Sequence, residues 1–154
     1  MAIEGTICHI RCDGKLLLRH KAPGRLGSGK WNGPGGKMRD GESPEQCVGR
    51  EVEEETDLTL IEPIVCGRVT FFFGRSDEPD WAVHVFSASR FSGEPRPSAE
   101  GELRWFAEDQ IPYDQMWADD RYWLPPLLSG QVFEGTFWFD ERAETVLRRE
   151  MELR

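Results

Sequence analysis

Long apolar runs are missing from this chain. Nothing in its 154 residues approaches the roughly 18 consecutive apolar positions of a membrane-spanning helix. The opening stretch, MAIEGTICHIRCDG, has no basic segment followed by an apolar one, so no signal peptide is expected. Cysteine is sparse: Cys8, Cys12, Cys47 and Cys66 form no CxxC pair, and the nearest His to a Cys pair is His9, between Cys8 and Cys12. Zinc usually takes a second pair of ligands at similar short spacing. Four reduced and mostly buried thiols are therefore expected, in a cytoplasmic protein. Positive charge is also short, with 19 Lys and Arg against 28 Asp and Glu, a net charge of −9 with His neutral. That balance counts against broad, nonspecific wrapping of duplex nucleic acid, which wants a basic stripe. Small anionic ligands stay open, because a bound divalent cation reverses the local sign.

The composition, 38% hydrophobic and 31% charged, suits a soluble globular protein. The length suits one domain over residues 1–154 that needs no disulfide or metal staple. Ile3 to Ile10 reads as a strand, and Lys15 to Leu18 as its hairpin partner after the Asp13-Gly14 turn. Lys21 to Lys30 is a basic, glycine-rich loop, and Trp31 to Asp40 a strand end running into loop. Ser43-Pro44-Glu45-Gln46 announces a helix to about Thr56, with Ser43 as N-cap, Pro44 first in the helix and Gln46 completing a capping box. Ile61 to Phe73 reads as one long strand or two, Trp81 to Phe86 as another, and Leu103 to Phe106 as a short one. Asp119 to Leu128 reads as a short helix limited by Pro125 and Pro126. Gln131 to Phe139 and Thr145 to Leu153 read as a closing hairpin, in which Thr145, Leu147, Met151 and Leu153 share a face. Strands dominate around one strong helix and one weaker one, an α+β chain without a βαβ repeat.

The central helix carries the chemistry. At 3.6 residues per turn, Glu51, Glu54 and Glu55 fall within about one 100° sector, and Val48 and Val52 flank it as the core face. Three carboxylates on one side repel each other. The spacing suits either a solvated acidic face or a hard divalent cation with oxygen ligands. Arg50 is placed to pair with Glu42 and tie the preceding loop to the helix. From Gly36 to Leu58 the chain reads GKMRDGESPEQCVGREVEEETDL. This resembles the Nudix box, GX5EX7REUXEEXGU with U aliphatic, along its full length. One position departs: the second-last Gly of the box is Asp57 here. That Gly usually caps the helix in the left-handed region, which Asp tolerates better than most residues.

The resemblance implies a Nudix fold, a mixed β-sheet sandwiched between helices. It implies hydrolysis of a nucleoside diphosphate linked to another moiety, with Mg²⁺ or Mn²⁺ held by Gly36, Glu51, Glu54 and Glu55. Two further segments, KWNGPGGK from Lys30 and QIPYDQMWADDRYWLP from Gln110, look like the branch of the family that hydrolyses oxidised purine nucleoside triphosphates, the animal MutT homologues. By that resemblance Asn32, Trp117, Asp119 and Asp120 form the base pocket, and Phe71, Phe73 and Trp81 its wall. Trp81 replaces a Met, and Leu26 replaces a pocket Phe. An additional metal-binding Glu is implied before Trp105; Glu102 fits its context best, with Glu100 as the alternative.

The residue types agree with this assignment. Asn offers a donor and an acceptor to a purine edge, and Trp117 a flat stacking face. Adjacent acids in an aromatic setting are costly to desolvate as two anions, so one is expected to keep its proton. The plainer alternative is that Asp119-Asp120 caps the following helix. Trp31, Trp105, Trp123 and Trp138 are assigned to the core. The expected activity is hydrolysis of 8-oxo-dGTP or 2-hydroxy-dATP type substrates to monophosphate and pyrophosphate. The expected partner is a purine nucleoside triphosphate, without duplex nucleic acid or membrane, bound by a monomer. The rival readings are a Nudix hydrolase of dinucleoside polyphosphate, ADP-ribose or RNA 5′ ends, and a silent Nudix-fold binding module.

Overall fold

The structure is a computed structural model that describes residues 2–21, 29–97 and 101–154. The strands are β1 (Ile3–Cys12), β2 (Lys15–Lys21), β3 (Trp31–Asn32), β4 (Gly35–Lys37), β5 (Thr59–Leu60), β6 (Ile64–Phe73), β7 (Trp81–Ala88), β8 (Phe91–Ser92), β9 (Gly101–Ala107), β10 (Phe133–Phe139) and β11 (Val146–Leu153). The helices are α1 (Pro44–Thr56) and α2 (Asp120–Leu128), with a short 3₁₀ turn at Tyr113–Gln115. Among the described residues the main sheet runs β11-β10-β6-β7-β1-β2-β3, with β4 added to β1 and β9 to β2. The pairs β1–β7 and β10–β6 are parallel and the other pairs antiparallel, so the sheet is mixed.

Strand alternation sends successive side chains to opposite faces, and each face has its own core. On one face Cys8, Ile10, Leu17 and Phe86 pack with Val48 and Val52 of α1 and with Leu58. On the other, Leu16, Leu18, Val69, Val85, Phe137 and Phe139 pack with Trp123, Leu124 and Leu127 of α2. The sheet is therefore sandwiched between helices, as the Nudix resemblance implies.

The start of α1 follows its local chemistry. The Ser43 hydroxyl accepts the Gln46 N–H, and the Gln46 side chain accepts the Ser43 N–H. Its end follows too: Asp57 caps it at φ 64°, ψ 17°, in the left-handed region, and donates its N–H to Glu53.

Several expectations need correction. The Ile61–Phe73 segment holds one strand, and it starts later than expected: Glu62 takes φ 51° before Pro63, and β6 begins at Ile64. By contrast α2 ends at Leu128 as expected, two residues after Pro126, with the Ser129 N–H shared between the carbonyls of Pro125 and Pro126. In β11 the register shifts opposite Trp138–Phe139, where Arg148 and then Val146 are the partners. Leu147 is the extra residue, exposed, while Val146 and Met151 pack on the core. A bulge reverses the alternation on which a shared face depends. Leu153 is exposed as well. Trp105 and Trp138 are half-buried, and Trp138 stacks between Phe72 and Arg148 on the face away from Phe137. All four cysteines are free, but only Cys8 and Cys47 are buried. Among the described residues no helix is long and apolar enough to cross a membrane.

The left-handed cap generates a stability prediction. Glycine meets no steric penalty at φ 64°, so Asp57→Gly should raise Tm by about 1–3 °C, and Asp57→Val should lower it. A thermal melt of the three proteins checks this; equal Tm values would show that the cap carries no strain.

Candidate active site

One cavity of about 570 Å³ joins the two motifs. Its acidic end is built by β4 and α1. Gly35 and Gly36 run so close to their neighbours that a Cβ on Gly35 would sit 2.0 Å from the Thr6 carbonyl oxygen. One on Gly36 would sit 2.5 Å from Glu51 Cδ. With no side chains there, Glu51 and Glu55 reach the strand, and the Gly35 N–H donates to Glu55 Oε1 at 2.9 Å. Both glutamates line the cavity together with Arg19, Lys21 and Lys37.

Acids in the last turns of a helix oppose its dipole, and α1 has no basic residue in its last turn to offset them. Arginines approach the carboxylates instead. Arg50 donates to both oxygens of Glu42, at 2.6 and 2.8 Å, and to Glu51 Oε1 at 2.7 Å. These bonds hold the loop on the helix, as expected. With the Arg39 N–H they pull the Glu42 carboxyl down to about 2. Arg19 Nη1 stands 3.4 Å from Glu55 Oε2. Burial pushes the Glu55 carboxyl up to about 7, against the opposing pull of Arg19 and the Gly35 N–H, while Glu51 adds to the rise.

Glu54 differs from the other two. Its side chain is 51% exposed, contacts Arg50 and Arg39, and does not line the cavity. Among the described residues no three acid, imidazole or thiol side chains converge on one point. Arg50 contacts both Glu51 and Glu54, while Glu55 is held by the Gly35 N–H and faces Arg19.

The opposite end is aromatic. Phe71, Phe73, Trp81 and Trp117 line it with Asn32, Asp119, Asp120 and Trp123. Phe71 and Phe73 lie parallel, 6.2 Å apart, and Trp117 meets Phe139 edge-on. Asn32 Oδ1 accepts the Gly33 N–H at 2.9 Å, which sets the orientation of its amide.

Asp119 and Asp120 are 2% and 1% exposed. The Trp123 indole N–H donates to Asp119 Oδ2 at 2.7 Å, while Asp119 Oδ1 and Asp120 Oδ2 are buried with no protein hydrogen-bond partner. The capping alternative fails here. Asp119 occupies the N-cap position of α2, but its side chain makes no cap hydrogen bond. Burial raises both carboxyls, and the like charge of Asp119 adds to the rise at Asp120.

The structure thus brings together Asn32, Gly36, Glu51, Glu55, Phe71, Phe73, Trp81, Trp117, Asp119 and Asp120. It does not bring Glu102 to them. Glu102 pairs across β2–β9 with His20, on the sheet face of Leu18 and not that of α1. Its half-exposed carboxylate lies 3.9 Å from His20 Nδ1. Glu100 and Leu26 lie outside the described residues. Sequence reasoning missed Trp123, which serves both core and cavity, and Arg19, Lys21 and Lys37. The signal for Arg19 was a charge directly following Leu16-Leu17-Leu18 in a buried strand.

The buried acids predict a pH dependence. The Asp120 carboxyl is raised above its ordinary value in the folded protein. Between those two values the folded state binds more protons than the unfolded one, so stability falls as pH rises through that window. Asp120→Asn removes this penalty. It should raise Tm at about pH 8, by about 2–4 °C per kcal/mol, and the gain should vanish near pH 4. Parallel Tm–pH curves for parent and variant would contradict it.

Sequence comparison finds the NUDIX domain over residues 4–127. The chain is similar to the oxidized purine nucleoside triphosphate hydrolase of Danio rerio, with 44% identity over 87% of this chain and 85% of that protein. The Mus musculus protein of the same name is 41% identical over 86% and 83%. Among solved structures, the MutT protein from Bacillus halodurans superposes with a TM-score of 0.87, covering 97% of both chains at 28% identity. The fold, the box with its one departure at Asp57 and these relatives agree, and the chain belongs to the Nudix family.

Proposed function

We propose that residues 1–154, acting as a single domain and a monomer, hydrolyse oxidised purine nucleoside triphosphates to the monophosphate and pyrophosphate. The carrying observation is the cavity itself. It runs from the glutamates Glu51 and Glu55 to two buried aspartates, each with one Oδ atom, Asp119 Oδ1 and Asp120 Oδ2, that has no protein partner. Buried acceptors without donors are costly, and a ligand that supplies the donors recovers that cost. The names of the zebrafish and mouse relatives support the same substrate class.

Each end has its task. Phe71, Phe73 and Trp81 exclude water from the base, and Trp117 offers it a stacking face. Asn32 presents amide hydrogen-bonding groups to the purine edge. Oxidation of guanine at C8 turns N7 from an acceptor into a donor, and oxidation of adenine at C2 changes the other edge. Two ionised carboxylates only accept, so they cannot serve both patterns. A pair sharing one proton can, with the proton on different oxygens in the two complexes.

At the acidic end the donors are all oxygens, which fits Mg²⁺ or Mn²⁺. Glu51, Glu54, Glu55 and the Gly36 carbonyl would hold the ion, Glu54 by turning in from Arg39. When bound it neutralises phosphate charge and activates water for attack. Lys21 and Lys37 supply further positive charge along the triphosphate. Arg50 keeps Glu51 oriented and the loop of Glu42 closed.

The test is kcat/KM for 8-oxo-dGTP, 2-hydroxy-dATP, dGTP and dATP with Mg²⁺, with the products separated by chromatography. The oxidised substrates should win, and the products should be monophosphate and pyrophosphate. Asp119→Asn and Asp120→Asn should each cost about 1–3 kcal/mol, roughly 5- to 150-fold, and unequally for the two lesions. Glu54→Gln should cut kcat by orders of magnitude while the protein stays folded. A diphosphate product, or aspartate variants that hydrolyse both lesions like the parent, would sink the proposal.

A further inference from the structure

We infer that Lys30 is a further specificity-determining residue of the aromatic end: standing over Trp117, its ammonium sets which carboxylate of the Asp119–Asp120 pair keeps the shared proton, and so ranks the oxidised purines. That role rests on the reading that this pair meets the base and shares one proton. Lys30 immediately precedes β3, whose Asn32 lines the cavity. Its backbone is tied to β2, because its carbonyl accepts the Lys21 N–H at 3.3 Å. Its Nζ stands 5.9 Å from the centre of the Trp117 ring, within cation–π range. Trp117 lines the cavity and Lys30 does not, so the ammonium does not take the place of the base. Trp117 and Asp120 belong to one tight turn, in which the Asp120 N–H donates to the Trp117 carbonyl at 3.1 Å. A cation held over the indole is thereby held near Asp120.

The two aspartates have different stabilisers. Asp119 Oδ2 accepts the Trp123 indole N–H, which opposes the rise that burial causes. Asp120 Oδ2 has no hydrogen-bond partner, and Lys30 acts on this carboxyl through space, against burial and the like charge of Asp119. The other ionisable groups around the pair are neutral or turned away. Tyr113 of the 3₁₀ turn holds its proton more tightly than an ordinary tyrosine, through burial and the charge of Asp120. His9 of β1 packs 5.4 Å from the Trp123 ring, and burial pulls its imidazole down to about 3. Arg121 of α2 is half-exposed and pairs with Asp114. Lys30 therefore makes two adjacent acids unequal in charge. A base edge that needs the proton on one carboxylate works with this bias, and an edge that needs it on the other works against it. Lys30 touches no base in this scheme and is a positioning residue acting through the pair.

The probes are 8-oxo-dGMP and 2-hydroxy-dAMP, titrated calorimetrically into the whole protein without divalent ions, from about pH 4 to 10. A nearby cation favours ionised carboxylates, so its removal raises both proton-loss steps of the pair. Lys30→Gln should therefore move both limbs of the affinity–pH profile upward and change the ratio of the two dissociation constants about threefold or more. Lys30→Met, equally uncharged, should repeat this result. Lys30→Glu should move limbs and ratio further in the same direction, and Lys30→Arg should match the parent. Titration of the ligands themselves is common to all variants and cancels. A merely structural lysine would change both affinities alike at every pH. Limbs or a ratio unmoved in Lys30→Gln and Lys30→Met, or Lys30→Arg departing as far as they do, would overturn the inference. Asp120→Asn separates the two levels. If it binds both ligands like the parent, the pair does not read the base and the inference falls with that reading. If Asp120→Asn impairs binding while the uncharged Lys30 variants match the parent, the inference alone falls.

Discussion

The acidic end of the cavity depends on the absence of side chains at Gly35 and Gly36. These residues let β4 press against β1 on one side and α1 on the other, with Glu51 filling the space a Cβ would need. The close approach turns two surface glutamates into a half-buried pair with a backbone donor. The charge problem that follows is solved locally. Arg50, one position before Glu51 on α1, and Arg19 of β2 supply the positive charge that the last turn of the helix lacks. Like-charge repulsion among Glu51, Glu54 and Glu55 is tolerated because each of the three has a cation within 4 Å.

The central strand carries this arrangement to the other end. Thr6 pairs with Gly36 on one edge of β1 and with His84 of β7 on the other, so one strand spans the acidic and aromatic ends. Trp81 and Val83 of β7 and Phe71 and Phe73 of β6 then wall the cavity from the same sheet face. The foot of α2 closes it with Asp119 and Asp120. Two acids out of water in adjacent positions are a standing cost to the fold. Trp123 relieves one oxygen of Asp119, and two other oxygens are left without a protein partner. A folding site relaxed for stability would hold neutral residues there. The aspartates make sense as acceptors kept ready for a ligand, an instance of stability traded for recognition.

Much of this was legible in the sequence because it is written locally. A capping box, an N-terminal proline and a left-handed Asp57 bound α1 within the chain segment that they occupy. The box spacing places its glutamates by helix geometry alone. What depends on strand register was not legible. Glu102 had the right sequence context before Trp105, but pairing with His20 turns it to the α2 side of the sheet. The bulge at Leu147 and the double duty of Trp123 also arise from tertiary pairing, which no local pattern reports. Arg19 is intermediate: a charge at the end of a leucine run is visible, but its partner Glu55 is 36 positions away (55 − 19) and is known only from the packed structure.

The central claim is that the aromatic end reads the oxidised base independently of the chemistry at the glutamates. Calorimetric titration with 8-oxo-dGMP and with dGMP, in the absence of divalent ions, tests it most directly. One recovered buried hydrogen bond corresponds to about 1–3 kcal/mol, so 8-oxo-dGMP should bind roughly tenfold tighter or better. That preference should survive Glu54→Gln unchanged. Equal affinity for the two monophosphates, or a preference that appears only with metal, would contradict it.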